Sequence, residues 1–372
     1  MRWKSTVVRV TALLGAALLM VTACGSGGSG TASSPGEPED RPPTSAPGAP
    51  VTVVAGSWGG KTDEWTKIAF KDFEEKSGIT LQQEAAPGQQ VAQIEAQVSA
   101  GKLRWDMLST DVGVDVYYLD SKGLLAHLPE ATKSKLVAAF GADNVTDFGI
   151  VFGSVAPVLV CRKDTATKCP TDFEQFFDTE NYPGPRTLSG VSPVYALTAA
   201  LIADGVAKDE VFPMDLDRAF AKLATLKPHV AVWWTSGDQS QQAFRNGQAV
   251  MGMIYNGRAY DLISQGMDLQ VSWEGAIRDP SYQVILKGAE HQDQAFQMME
   301  WLADNPDACR DYMIASNYDC PNVQAIEALP QETLEKVPST PDHLKVAAPI
   351  DVPWVIAHLD EINDRWKQFL AG

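Results

Sequence analysis

Residues 249–260, AVMGMIYNGRAY, carry an apolar run into Tyr255, Asn256, Gly257 and Arg258. A run as apolar as 250–254 fits a strand covered on both faces, as in a parallel α/β sheet. Ligands of such sheets bind outside the carboxyl ends of the strands, which is where Tyr255 and Arg258 would emerge. The guanidinium is a planar fork of donors suited to a carboxylate or phosphate. Asp279 follows about twenty residues later and is the natural counter-group for an amine; Arg278 beside it is a rival cation. A bland alternative has Arg258 and Asp279 paired with each other or facing solvent. Two further ring candidates, Trp233 and Trp234, are adjacent, so on a strand they point to opposite faces and only one lines a cleft.

The elements that would position these groups follow from periodicity. A β-branched run at 51–55 leads into a helix capped by Thr62, with Trp65, Ile68, Ala69 and Phe73 on one face and a stop at Gly78. A second helix is expected over 90–100. A strand at 106–108 then places Ser109, Thr110 and Asp111 at its carboxyl end, although Asp111 also suits a helix N-cap. Residues 148–160 read as an extended crossing. Helices follow at 193–204, 215–226 and 239–246, with strands at 231–234 and 250–254. Residues 269–286 form a second extended crossing, and helices at 293–304, 307–316 and 353–370 complete the chain. Two αβ blocks joined by two crossings imply two αβ lobes with a ligand cleft between them.

The first residues carry Arg2, Lys4 and Arg9, then an apolar stretch too short to span a membrane permanently. Residues 21–24, Val-Thr-Ala-Cys, resemble a bacterial lipobox, so 1–23 reads as a signal peptide and Cys24 as the lipidated mature N-terminus. Residues 24–50 are rich in Gly, Ser, Pro and Thr and are expected to form a disordered tether. The net charge is −17, and loss of the leader's three cations makes the remainder more acidic still, which argues against nucleic acid or anionic lipid as a partner of the body. An even set of cysteines remains beyond Cys24 in an exported chain. Local pairing, Cys161–Cys169 and Cys309–Cys320, needs no long-range geometry, with four free thiols as the alternative.

Catalytic signatures are weak. There is no H-E-x-x-H, no G-x-S-x-G, and the five histidines lack metal-ligand spacing, so no metal and no cofactor is expected. Residues 55–62, AGSWGGKT, nearly fit a phosphate-cradling loop, but Ala55 replaces its first Gly and a Trp occupies the cradle.

Several stretches in order resemble the polyamine-type family of solute-binding proteins of ABC importers: Ser57-Trp58 after the first strand, KSGITL, WDMLST, DSKGLLAHL, DLDRAFAKL with LKPHVAVWW, NGQAVMGMIYNGRAY and NYDCPN. The resemblance implies a type II periplasmic-binding-protein fold, closure around a solute, and delivery to a membrane permease. It implies one lobe from 51–153 plus about 281–325 and the other from 154–280 plus about 326–372. It places Trp58, Thr110, Asp111 and Tyr255 at the ligand, to which the reading of the residues themselves adds Trp234, Arg258 and Asp279. The stretch matching 188–195, LSGVSPVY, lacks the acid that polyamine binders carry, and Ser281 stands where they have Asp. Burying a polycation without those acids leaves charge unpaired. Arg258 with Asp279, walled by Trp58 and Tyr255, therefore suits a small zwitterion such as an ω-amino acid better than spermidine. The chain is expected to be a monomeric, lipid-anchored receptor at the outer face of the membrane that performs no chemistry. A surface enzyme or a structural lipoprotein is the alternative.

Overall fold

The computed structural model describes residues 51–372; the leader, Cys24 and the tether lie outside the described residues. In chain order the strands are β1 (Val51–Ser57), β2 (Ile79–Ala85), β3 (Met107–Val112), β4 (Gly149–Val151), β5 (Pro157–Arg162), β6 (Arg186–Ser189), β7 (Val230–Trp234), β8 (Met251–Tyr255), β9 (Leu269–Ser272), β10 (Ile277–Arg278), β11 (Ser281–Ile285) and β12 (Ala348–Pro349). They build two five-stranded sheets, ordered β2-β1-β3-β11-β4 and β7-β6-β8-β5-β9, and a small pair β10-β12. Both large sheets follow one scheme. Three strands run parallel (β2, β1, β3 in one; β7, β6, β8 in the other), and the fourth, β11 or β5, is antiparallel to both its neighbours.

Helices cover both faces, as the apolar runs demand. Helix Lys61–Ser77 buries Trp65, Ala69, Phe70 and Phe73 at helical spacing and ends at Gly78, whose φ of 72° lets its N–H reach back to the Glu74 carbonyl at 3.1 Å. Gly60, not Thr62, occupies the N-cap, which frees the Thr62 hydroxyl for another partner. On the opposite face of the first sheet Ile94, Trp105, Leu108, Val116, Leu119 and Phe148 form a second core. The final helical stretch is broken at His358 into Val352–Ala357 and Leu359–Ala371, where a single helix was expected.

The two crossings between the sheets lie side by side. Val155 N–H donates to the Asp279 carbonyl at 3.3 Å and Asp279 N–H donates to the Val155 carbonyl at 3.1 Å. Asp319 is bridged beside it, its N–H donating to the Ser154 carbonyl at 3.3 Å and its carbonyl accepting from Gly153 N–H at 2.6 Å, so a third strand of chain joins this junction. Cys161 is bonded to Cys169 and Cys309 to Cys320, with Cα–Cα separations of 5.6 and 5.2 Å. The second disulfide fixes the helix Pro306–Ser316 to the segment carrying Asp319. Among the described residues no helix is long and apolar enough to cross a membrane.

Candidate ligand-binding site

The carboxyl ends of β1 and β3 and the start of helix Pro193–Ala203 enclose a cleft of about 400 Å³, walled by Trp58, Val112, Asp115, Val191 and Tyr195, with Asp279 reaching it from the junction. An inner cavity of about 40 Å³ shares Trp58 and Val112 with it and is lined further by Thr62, Thr110, Tyr255, Arg258, Ser281 and Tyr318. The two spaces thus adjoin at Trp58 and Val112.

Arg258 sits in the first turn of helix Asn256–Ser264, directly after β8, and is 3% exposed. Its Nη1 donates to Asp238 Oδ1 at 2.6 Å and its Nη2 to the Thr62 hydroxyl at 3.2 Å, while the guanidinium lies over the Trp65 ring at 5.2 Å. Nε has no partner. The helix begins this deep because position 257 is Gly: a Cβ there would collide with the Ser316 carbonyl and the Tyr318 ring. Gly237 packs equally close, since a Cβ would stand 2.5 Å from Arg258 Nε. Asp238 is itself solvent-exposed, so it balances the guanidinium only in part.

At the other end Asp279, 2% exposed, accepts a 2.6 Å hydrogen bond from the Tyr195 hydroxyl on Oδ2 and has no partner on Oδ1. Burial pushes its carboxyl up to about 6, opposed by the Tyr195 hydrogen bond. Asp111 is fully buried beside it; Oδ1 accepts its neighbour Val112 N–H at 2.8 Å and Oδ2 has no partner. Its carboxyl is held well above the usual range by burial and then by the negative charge of Asp115. Asp115, half-buried in the first turn of helix Gly113–Ser121, is raised to about 7 by burial and by Asp279. No Lys or Arg is among the described residues that line the larger cleft. One end of the site therefore gathers Asp115 and Asp279, which no lining cation balances, and at the other Arg258 keeps an unpartnered guanidinium N–H. Among the described residues no His, Cys, Asp or Glu side chains are grouped to hold a metal ion.

Arg258 and Asp279 do not pair with each other, nor do they face bulk solvent. Trp58 lines both spaces, and Thr110 and Tyr255 line the inner one. The Thr110 hydroxyl is already spent on the Phe152 carbonyl at 2.8 Å. Tyr255 stands edge-on to Tyr195, with centroids 6.2 Å apart, and its hydroxyl has no partner. Trp234 is the residue that must be moved. It is fully buried in the core, its indole N–H donating to the Met253 carbonyl at 3.1 Å, and it touches the site only by supporting Tyr255 at 5.2 Å. Trp233 packs on Trp366 and Phe369 on the opposite face, so neither tryptophan reaches the cleft, because helices cover the sheet on both sides. Arg278 turns away toward Ser339. Sequence reasoning missed Asp115 and Tyr195. Asp115 follows Asp111 by four residues but across the end of β3, so no helical or strand periodicity marked it. Tyr195 lies within LSGVSPVY, a stretch that stands out in the sequence only for its lack of acids.

Two αβ lobes sharing a crossed junction, with an enclosed polar cleft between their strand ends, define a two-lobed binding protein of the type II periplasmic-binding fold. Residues 69–340 match the bacterial extracellular solute-binding proteins, and the chain belongs to that family. It is 28% identical over 327 residues to the gamma-aminobutyric acid (GABA)-binding protein of Pseudomonas aeruginosa, covering 86% of this chain and 91% of that protein. The fold matches an ABC transporter substrate-binding protein from Bradyrhizobium japonicum with a TM-score of 0.78 at 29% identity, covering 86% of this chain and 99% of the other. It matches a GABA receptor structure with a TM-score of 0.76 at 29% identity, covering 86% and 97%.

Proposed function

We propose that this protein is the receptor of an ABC importer for a small ω-amino acid of the GABA type. The observation that carries the reading is that Arg258 and Asp279, each buried with an unpartnered polar atom, line two spaces that adjoin at Trp58 and Val112. The solute carboxylate docks on Arg258 in the inner cavity, with the Tyr255 hydroxyl beside it. The ammonium docks on Asp279, and Trp58 and Tyr255 close over the methylene chain. Leaving either charge unpaired in so buried a site costs several kcal/mol, which is the source of selectivity for a zwitterion. The names of the P. aeruginosa relative and of the GABA receptor structure support this choice over a polyamine.

The rest of the assignment follows from the sequence. Residues 1–23 are a cleaved signal peptide, Cys24 is lipidated, and 24–50 tether the body to the outer face of the membrane. Residues 51–153 with about 281–325 form one lobe, and 154–280 with about 326–372 the other. The protein works as a monomer, does no chemistry and hands its solute to the permease. Calorimetry of the protein with GABA, 5-aminovalerate, putrescine and spermidine tests the reading. GABA or 5-aminovalerate should bind in the micromolar range or tighter, and Arg258→Ala should weaken them at least a hundredfold. Tighter binding of a polyamine, with affinity indifferent to Arg258→Ala, sinks it.

A further inference from the structure

The site holds more negative charge than one ammonium needs. Besides Asp279, whose Oδ1 is buried and unpartnered, half-buried Asp115 borders the same end of the cleft without a cation, while Asp111 is buried behind it and lines neither space. The cleft then continues outward between Glu95, which accepts the Tyr118 hydroxyl at 2.9 Å, and Asp360 in the first turn of helix Leu359–Ala371. Exposure rises along this path, from Asp279 at 2% through half-buried Asp115 to exposed Glu95 and Asp360, so the acids mark a track from floor to mouth. At about 400 Å³ the space is also far larger than the 40 Å³ recess at Arg258.

Resting on the ω-amino acid reading, we propose that the outer cleft is a second cation position, with Asp115 as its floor and Glu95 and Asp360 as its rim. The preferred solute is then an ω-amino acid whose amine is secondary and carries an aminoalkyl arm. Its carboxylate meets Arg258, its inner ammonium meets Asp279, and its outer ammonium meets Asp115. A dication meets Asp279 and Asp115 together, whereas a single ammonium on Asp279 leaves Asp115 without a cation. Asp115 is the specificity-determining residue, because a mono-ammonium solute does not require it.

N-(4-Aminobutyl)-β-alanine and N-butyl-β-alanine differ only in that outer ammonium, and calorimetry of both with the protein at pH 7.5 isolates it. The amino compound should bind at least tenfold more tightly. Asp115→Asn should cut that ratio below threefold, and the exposed Asp360→Asn, which cannot disturb the core, should lower it by a smaller factor. A ratio near one, or a ratio unmoved by both substitutions, overturns the second cation position. If GABA still binds in an Arg258-dependent way, the ω-amino acid reading survives that failure. If GABA binding ignores Arg258→Ala, the reading itself fails whatever the ratio.

Discussion

Arg258 Nη2 donates to the Thr62 hydroxyl at 3.2 Å, and the two residues belong to helices that follow strands of different sheets. The same guanidinium meets Trp65 of the Thr62 helix at 5.2 Å. The group assigned to the solute carboxylate is thus also a direct bond between the two walls of the site, so solute capture and wall closure share one side chain.

Thr62→Val removes the acceptor and leaves one buried guanidinium N–H unsatisfied in the closed state. A hydrogen bond to a charged group contributes about 1.5–3 kcal/mol, so ω-amino acid affinity should fall roughly ten- to hundredfold with little change in the melting temperature of the empty protein. Calorimetry and small-angle scattering check this; an unchanged affinity with normal ligand-induced compaction refutes the shared role.

Gly237→Ala places a methyl 2.5 Å from Arg258 Nε. The backbone at 237 lies in the first turn of helix Gly237–Arg245, where alanine is at home, so the substitution should leave folding intact while displacing the guanidinium. Ligand affinity should drop at least tenfold and circular dichroism should be unaltered. Wild-type affinity in this variant rules out Nε as a solute contact.

The pH dependence has a definite sign. Asp279 and Asp319 titrate near 6 and Asp115 near 7 in the folded protein, against about 3.9 in an unfolded chain. Between about pH 4 and 7 the native state therefore binds more protons than the unfolded state, and these groups make the empty protein less stable as pH rises through that window. Around Asp279 stand Tyr195, Asp111 and Asp115, with the charge of Arg278, turned toward Ser339, a minor opposing influence; the two acids reinforce the effect. A bound ammonium reverses it by stabilising the carboxylates. Affinity should climb on the order of tenfold from pH 5.5 to 7.5, with protons released on binding, as calorimetry in buffers of different ionisation enthalpy measures. Asp279→Asn should flatten the slope; an equally steep slope in that variant contradicts the assignment.

Tyr195→Phe deletes the hydroxyl that donates to Asp279 at 2.6 Å. With the bond that holds the carboxylate down gone, Asp279 should titrate higher than about 6, and the rise of affinity with pH should move alkaline. Stability should fall by about 1–3 kcal/mol. A pH profile superimposable on that of the parent protein excludes the coupling.

Much of the fold was legible because it rests on local signals. The apolar run before Tyr255, the glycine stop at Gly78 and the helix over Pro193–Ala203 lie within a residue or two of expectation. The expected strand at 106–108 was too short: β3 runs on to Val112 because Tyr282 of β11 pairs with Asp111, a contact about 170 residues away that no local pattern carries. The site was legible as residue types and less so as partnerships. Arg258 and Asp279 stood out as isolated charges, yet Asp238, Thr62 and Tyr195, which orient them, arrive from three other helices. Trp234 was misplaced for a related reason, since strand alternation says that two neighbours face apart but not that both faces are covered.

The reciprocal hydrogen bonds between Val155 and Asp279 put the carboxylate proposed for the solute ammonium on the crossing between the two sheets, which in the proposed receptor is the axle about which the walls turn. A group on an axle has no lever arm and barely moves as the walls swing, whereas Trp58 travels with its wall. The amine end of a solute thus meets the same carboxylate whether the walls stand apart or together, and tethering there precedes enclosure. Substitutions at Asp279 will slow capture, while substitutions at Trp58 will chiefly hasten escape.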